Sequence, residues 1–210
     1  IMSWDGSSQL QLTRNGSINL NPDFSPDGRE ILFTSYKRRN PDLYKRALSS
    51  TAEVPVSTRK GLNITGTWSP DGSRIALALS KDGNSEIYTL AKDGSSPIRL
   101  TVNNAIEVSP VWSPDGSRIA FVSDRLGKPQ IFTMNADGSN IHQISFNQSH
   151  DLDPSILANG QILFSRWDNA GGNSEMNLYR MNPDGTGLEL YYGSRSHDTG
   201  TDGATIQFSQ

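Results

Sequence analysis

The chain contains no cysteine, and this absence excludes several kinds of site. Without thiols the protein cannot hold a disulfide, a thiolate metal centre, a covalently attached c-type haem or a cysteine nucleophile. The sequence also has neither a G-x-S-x-G nucleophile elbow nor a phosphate-binding glycine loop. We therefore expect no enzymatic activity from this chain.

Long apolar runs and a strong charge of one sign are missing as well. Apolar residues make up 34% of the 210 residues, and no run approaches the ~20 residues that a membrane-spanning helix needs. Charges of both signs are interspersed and the net charge is only −3, so we expect neither membrane insertion nor a nucleic-acid partner. The sequence begins at Ile1 without a signal-peptide pattern, and we expect it to be processed or excised from a longer chain.

The chain does contain a repeat of 44 residues. Gly28, Gly72, Gly116 and Gly160 are each 44 residues apart. The first three stand in FSPDGREILFTS, WSPDGSRIALAL and WSPDGSRIAFVS, and the fourth in the weaker copy ILANGQILFSRW. A period near 44 with four short strands in each unit is typical of a β-propeller blade. The predicted fold class is therefore all-β, a propeller of four-stranded antiparallel blades.

Every repeat has the same order of strands and turns. The first strand ends at the Ser-Pro-Asp-Gly turn, where proline presets φ and glycine takes the left-handed conformation. An Asp-Gly or equivalent turn later separates the third strand from the fourth. The sequence predicts four complete blades within a single domain over 1–210, at 20–57, 64–101, 108–145 and 152–192.

The two ends of the chain carry pieces of blades. Residues 10–13 (LQLT) match a fourth strand and 204–209 (ATIQFS) match a first strand, so 1–13 and 204–210 are predicted partial blades. Propellers close their rings by combining such strands, which removes exposed sheet edges. We expect the chain to be a fragment of a six-bladed ring. The alternative is an open arc whose edges a partner or a second copy protects.

Large aromatic residues recur at fixed positions of the repeat, which is typical of packing between blades rather than of ligand contact. The predicted core residues of this kind are Trp68, Trp112, Phe33, Phe121, Phe164, Tyr88 and Tyr179.

Polar residues occupy the positions where the first strand of each blade enters the central channel. One set with this spacing is Asn21, Thr65, Ser109 and Asp153, and a second set, two residues earlier, is Asn19, Asn63, Glu107 and Asp151. Loops at the mouth of a rigid scaffold are common binding surfaces. We therefore predict that these eight residues contact a partner.

Two Ser-His-Asp runs lie 47 residues apart, on consecutive blades, and indicate a metal site. They place His150 and Asp151 on one blade and His197 and Asp198 on the next. Imidazole nitrogen and carboxylate oxygen are suitable ligands for a divalent metal. Alternatively, each run caps a turn through hydrogen bonds from side chain to backbone.

The quoted motifs resemble the TolB propeller family, whose units are also called PD40 or WD40-like repeats. NPDFSPDG, the two WSPDGSRIA segments, SEIYTL and PQIFTMNADGS carry the similarity. From about residue 146, the sequence looks more like that of larger bacterial proteins with PD40 repeats. The sequence also lacks the small α/β domain that precedes the propeller in that family and contacts TolA.

The resemblance implies a periplasmic, non-enzymatic scaffold of the Tol-Pal system, which maintains the envelope and supports cell division. Its implied partner is the lipoprotein Pal, bound at the channel mouth. The resemblance also implies that calcium can occupy the channel, near Glu107, Asp151 and Asp153; we expect no other cofactor. The alternative is a propeller within a larger secreted enzyme, either a peptidase gating domain or a metal-dependent lyase.

Overall fold

A computed structural model describes residues 1–170 and 173–193. Sixteen strands form four antiparallel sheets, each with its four strands in chain order. Blade 1 contains β1 (Asn19–Phe24), β2 (Glu30–Arg38), β3 (Asn40–Ala47) and β4 (Val54–Ser57). Blade 2 contains β5 (Asn63–Trp68), β6 (Arg74–Leu79), β7 (Glu86–Ala91) and β8 (Ile98–Arg99). Blade 3 contains β9 (Glu107–Trp112), β10 (Arg118–Ser123), β11 (Gln130–Asn135) and β12 (His142–Gln143). Blade 4 contains β13 (Asp151–Ile156), β14 (Ile162–Ala170), β15 (Asn173–Met181) and β16 (Glu189–Tyr192).

The four predicted blades and the all-β fold class are confirmed. The inner strands β1, β5, β9 and β13 lie side by side in chain order around the channel. Over the described ranges, no helix is long and apolar enough to cross a membrane.

The Ser-Pro-Asp-Gly turns are held by short hydrogen bonds that the sequence encodes locally. Ser113 Oγ donates to Asp115 Oδ1 at 2.5 Å, and the same oxygen accepts the backbone N–H of Ser117 at 3.0 Å. Gly116 has φ +69°, a conformation that costs glycine little. Each such turn directs the chain from the inner strand into the second strand.

Apolar residues fill the wedges between neighbouring blades. Leu32 and Leu43 of blade 1 pack with Trp68 of blade 2, and Ile87 of blade 2 packs with Trp112 of blade 3. Trp68 and Trp112 are each only 6% exposed, and burying a large apolar side chain contributes roughly 1.5–3 kcal/mol. The predicted core aromatics are buried in these wedges and within the blades, except that Tyr179 is half-buried.

The N-terminal segment reproduces one end of a blade without forming an assigned strand. Ser3 N–H bonds to the Ser7 carbonyl at 2.8 Å and Gly6 N–H to the Ser3 carbonyl at 2.9 Å. Blade 2 has the same two bonds at its Asp-Gly turn, between Ala91 and Ser95 and between Gly94 and Ala91. The fourth strand predicted at 10–13 is not assigned as a strand. Leu10 N–H nevertheless donates to the Ile1 carbonyl, and the terminal amino group of Ile1 donates to the Leu10 carbonyl, both at 2.8 Å.

Residues 10–13 nevertheless pack where a preceding blade would place its outer strand. Leu12 packs against Ile31 and Phe33 of blade 1, as Val56 of blade 1 packs against blade 2. The inner half of this face of blade 1 is open, and Phe24 is 50% exposed where its counterpart Trp68 is 6% exposed. The predicted partial blade at 204–210 lies outside the described residues, and the six-bladed ring stays a prediction.

Candidate functional site

The first predicted polar set lines a cavity of about 320 Å³ on the channel axis. Asn21, Thr65, Ser109 and Asp153 come from the four inner strands, and all four have φ between +50° and +52°. The register of each inner strand against its second strand shifts at this point, which marks a β-bulge. A bulge with one residue in the left-handed conformation re-aims the side chains around it. The bulges thus turn four polar residues towards a common cavity.

Hydrogen bonds link these bulges from blade to blade. The backbone N–H of Ser109 donates to Thr65 Oγ1 at 3.3 Å, and Ser109 Oγ donates to Asp153 Oδ1 at 3.2 Å. Thr65 N–H donates to Thr34 Oγ1 of blade 1, also at 3.3 Å. Asn21 and Asp153 are exposed, and Thr65 and Ser109 are half-buried. The cavity therefore offers amide, hydroxyl and carboxylate groups to a ligand that enters the channel.

Asp23 belongs to the same cavity, and the sequence argument missed it. Its carboxylate accepts the backbone N–H of Trp68 in blade 2 at 2.7 Å. Burial raises the pKa of Asp23 above its usual value, and the bond from Trp68 partly opposes this rise. The other inner strands have Thr67, Val111 and Ser155 at this position, so the repeat gave no signal for an acid here.

The second predicted set does not lie at the surface of the mouth. Asn63, Glu107 and Asp151 have no exposed surface, and Asn19 is half-buried. Asn63 Nδ2 donates to the carbonyls of Arg59 and Gly61 at 2.7 and 3.1 Å, and its Oδ1 accepts from the Ser57 hydroxyl at 2.5 Å. These bonds fix the loop that enters blade 2. Asn63 is thus buried, and its predicted contact with a partner stays an untested prediction.

Glu107 and Asp151 occupy the equivalent place in blades 3 and 4 and form buried ion pairs. Glu107 pairs with Arg125 and accepts from Ser123 Oγ at 3.0 Å. Asp151 accepts two bonds from Arg166, at 2.8 and 2.7 Å. Both carboxylates are fully buried, whereas Arg125 and Arg166 keep 23% and 11% of their side chains exposed. The two pairs hold the ends of the blades together.

Asn19 has the same role in blade 1, with a more accessible side chain. Its Nδ2 donates to Asn15 Oδ1 at 3.1 Å and to the carbonyl of Ser17 at 3.0 Å. The predicted eight-residue surface is thus divided. The set at the bulges lines the cavity and is exposed or half-buried, and the earlier set anchors the entering loops.

The predicted metal ligands are only partly covered by the structure. His197 and Asp198 lie outside the described residues. His150 packs edge-on against Trp167 with 5.3 Å between ring centroids, and both Asp151 oxygens are bonded to Arg166. Among residues 1–170 and 173–193, no three His, Asp or Glu side chains gather where they could hold a metal. The predicted metal site at His150, Asp151, His197 and Asp198 and the predicted calcium in the channel therefore both remain untested.

Comparison with protein families gives a match over nearly the whole chain. A family model described as PD40, the TolB beta propeller domain, matches residues 1–203. The Tol-Pal system protein TolB of Roseobacter denitrificans is 39% identical over 61 residues. That segment is 29% of this chain and 14% of the relative.

Solved structures agree on the fold. The crystal structure of TolB from Acinetobacter baumannii superimposes with a TM-score of 0.82 at 24% identity, covering 91% of this chain and 48% of that one. The chain thus spans about half the length of this relative. A puromycin-hydrolysing peptidase of Mycobacterium tuberculosis superimposes with a TM-score of 0.61 at 15% identity, covering 84% of this chain and 31% of that one. At these identities, the likeness shows the propeller fold alone.

Proposed function

The chain belongs to the TolB β-propeller family, the PD40 domain, and on this premise we propose that it is a non-enzymatic protein-binding scaffold. Its binding surface is the channel mouth, and its partner is a Pal-like lipoprotein of the Tol-Pal system. Its site of action is then the periplasm. The name of the Roseobacter relative, a Tol-Pal system protein, supports this assignment.

One observation carries the proposal: Asn21, Thr65, Ser109 and Asp153 are brought to a single cavity by four equivalent bulges. Left-handed non-glycine residues are uncommon and cluster at functional sites. Here four of them repeat at the inner strands. Their side chains can donate and accept hydrogen bonds, which suits a polar segment of a folded partner.

The test is a calorimetric titration of the chain with the soluble domain of Pal. The double variant Ser109→Arg/Asp153→Arg fills the cavity and reverses its charge, so we expect it to abolish binding. The matched control is His142→Arg, which adds a charge on the exposed outer strand β12 and should leave affinity unchanged. Equal binding by all three folded proteins would place the partner elsewhere.

The alternative is a propeller that serves a larger secreted enzyme. The likeness to the M. tuberculosis peptidase is consistent with this fold-level possibility. A gating role requires a hydrolase domain with a G-x-S-x-G motif encoded next to this segment. A lyase role requires metal bound by the cluster of His150 and His197. Metal analysis of chelated and reloaded protein, beside a His150→Ala variant, separates this second role from the scaffold.

A further inference from the structure

A second cavity lies between blades 2 and 3, at the end of the blades opposite the loops that enter the inner strands. Its volume is about 710 Å³. Trp112 lines it together with the carboxylates of Asp71, Asp115 and Asp137 and the guanidinium of Arg74. The cavity therefore combines an aromatic wall with two more carboxylates than cations.

The neighbouring groove, between blades 1 and 2, shows what such a wall accommodates. There the ammonium of Lys45 lies 5.6 Å from the ring centroid of Trp68, within the range of a cation–π interaction. The same ammonium is 3.2 Å from Glu30 Oε1. Ser95 chiefly lowers the pKa of Asp93, and the charge of Lys45 contributes to the same effect. An alkylammonium group thus occupies the first groove, supplied by the protein itself.

The repeat places corresponding residues in the second groove but omits the lysine. Trp112 and Asp137 stand 44 residues after Trp68 and Asp93, and Thr89 stands 44 residues after Lys45. Thr89 is buried and accepts a hydrogen bond from Arg74 Nη2 at 3.0 Å. The short threonine does not cover the tryptophan as a lysine does. The space that Lys45 fills in one groove is a cavity in the next.

The carboxylates of this cavity are ionised at neutral pH. Hydrogen bonds from Ser69 and Ser73 lower the pKa of Asp71 to about 2, and bonds from Ser113 and Ser117 lower the pKa of Asp115 to about 2. Bonds from Ser139 also lower the pKa of Asp137. The cavity therefore keeps its negative charge and favours a cation.

Two further features suit a lysine side chain carried by a peptide. Ile98, Leu100 and Ala136 form an apolar wall along which methylene groups can pack. Trp112 is 94% buried, and its Nε1, like Arg74 Nε, has no acceptor among the described residues. Both residues line the cavity, and a ligand carbonyl that reached either donor would satisfy it.

We propose that the groove between blades 2 and 3 binds a primary alkylammonium group, as presented by a lysine side chain, with the ammonium over Trp112 and facing Asp137. This site is separate from the channel mouth and does not depend on the function proposed above.

The experiment is an NMR titration of the chain with N-acetyl-lysine methylamide, following the Trp112 indole N–H and the Ile98 methyl groups. N-acetyl-norleucine methylamide has the same shape without the ammonium and serves as the matched ligand. We expect the lysine derivative alone to shift these signals. A separate titration with cadaverine distinguishes a free alkylammonium ligand from one carried by a peptide. Binding as strong as that of the lysine derivative indicates that the ammonium suffices, and weaker binding indicates that the peptide carbonyl contributes.

Two variants copy one groove onto the other. Arg74→Glu/Thr89→Lys supplies the second groove with the residues of the first, so its own lysine should exclude the ligand. Lys45→Thr empties the first groove, and we expect new shifts of the Trp68 indole on adding the lysine derivative. Asp137→Asn keeps the acceptor for the Ser139 N–H and should weaken binding about threefold.

Two results would overturn the proposal. One is the absence of any shift at Trp112 and Ile98 in the wild-type chain with the lysine derivative. The other is equal binding of the norleucine derivative, which would show that the charge is not recognised. Circular dichroism of each variant confirms that a lost signal does not come from unfolding.

Discussion

Gly94 in blade 2 lies directly against the backbone carbonyl of Val56 in blade 1, with no room for a Cβ between them. Gly138 makes the same approach to Leu100, and Gly185 to Ile144. Each of these glycines belongs to the turn between the third and fourth strands and touches the outermost part of the preceding blade. The Asp-Gly turn is therefore a contact between blades as well as a hairpin connection.

Replacing Gly94 by alanine should destabilise the protein by more than about 2 kcal/mol, because a left-handed alanine costs about 1–2 kcal/mol and the clash is with backbone. Gly6→Ala is the matched control, since Gly6 has φ +81° in the same type of turn and no atom within 4 Å. Urea denaturation measures the free energy of unfolding of the Gly94→Ala and Gly6→Ala variants. Equal losses for the two variants would show that the contact between blades contributes nothing.

Arg166→Leu should cost about 3–5 kcal/mol, because it leaves the fully buried Asp151 carboxylate without its cation. Arg180→Leu breaks the exposed pair with Glu189 and should cost less than about 1 kcal/mol. The double variant Asp151→Leu/Arg166→Met removes both charges and should recover much of the loss. Thermal unfolding of the three variants checks this order, and a harmless Arg166→Leu would contradict it.

Thr65→Asn should stabilise the protein by about 0.5–1 kcal/mol, because asparagine adopts the left-handed conformation with less strain than a β-branched residue. Asn21 provides the reverse experiment, since it has φ +50° at the same bulge in blade 1. Asn21→Thr should destabilise by a similar amount. The prediction fails if the two substitutions change the denaturation midpoint in the same direction.

Stability should fall between about pH 4 and pH 2, because Asp71 and Asp115 have folded-state pKa values of about 2 against 3.8 unfolded. In this window the unfolded chain binds more protons, so folding is favoured by higher pH. Asp71→Asn/Asp115→Asn should flatten the dependence of the melting temperature on pH. Blade 4 has Asn159 in this turn position, with Leu157 and Gln161 in place of the two serines, so Asn159→Asp should alter the dependence much less. An unchanged slope in the Asp71→Asn/Asp115→Asn variant would exclude these turns as its source.

The blades could be predicted from sequence because their turns depend on neighbouring residues. Ser113, Asp115 and Gly116 form their turn with bonds that span five residues or fewer. The 44-residue period and the residues of these turns together therefore predict the order of the strands. The repeat also predicts the packing of Trp68, because equivalent residues meet between each pair of neighbouring blades.

The two polar sets could not be separated by the same reasoning. Positions 107 and 109 are two residues apart, and in a regular strand both side chains would lie on one face. The bulge after Val108 breaks this alternation. Glu107 is buried with Arg125, and Ser109 lies at the cavity. A positive φ at serine or threonine has no sequence signature, so only the structure distinguishes them.

Every sheet pairs strands in the order in which they occur in the chain. Each blade can therefore complete its hydrogen bonds as soon as its own residues have left the ribosome. Local pairing of this kind lowers the contact order and speeds folding relative to most β proteins. Blade 1 then presents a finished face to the emerging blade 2, and the propeller can be built in the direction of synthesis, with each new blade assembled on the last.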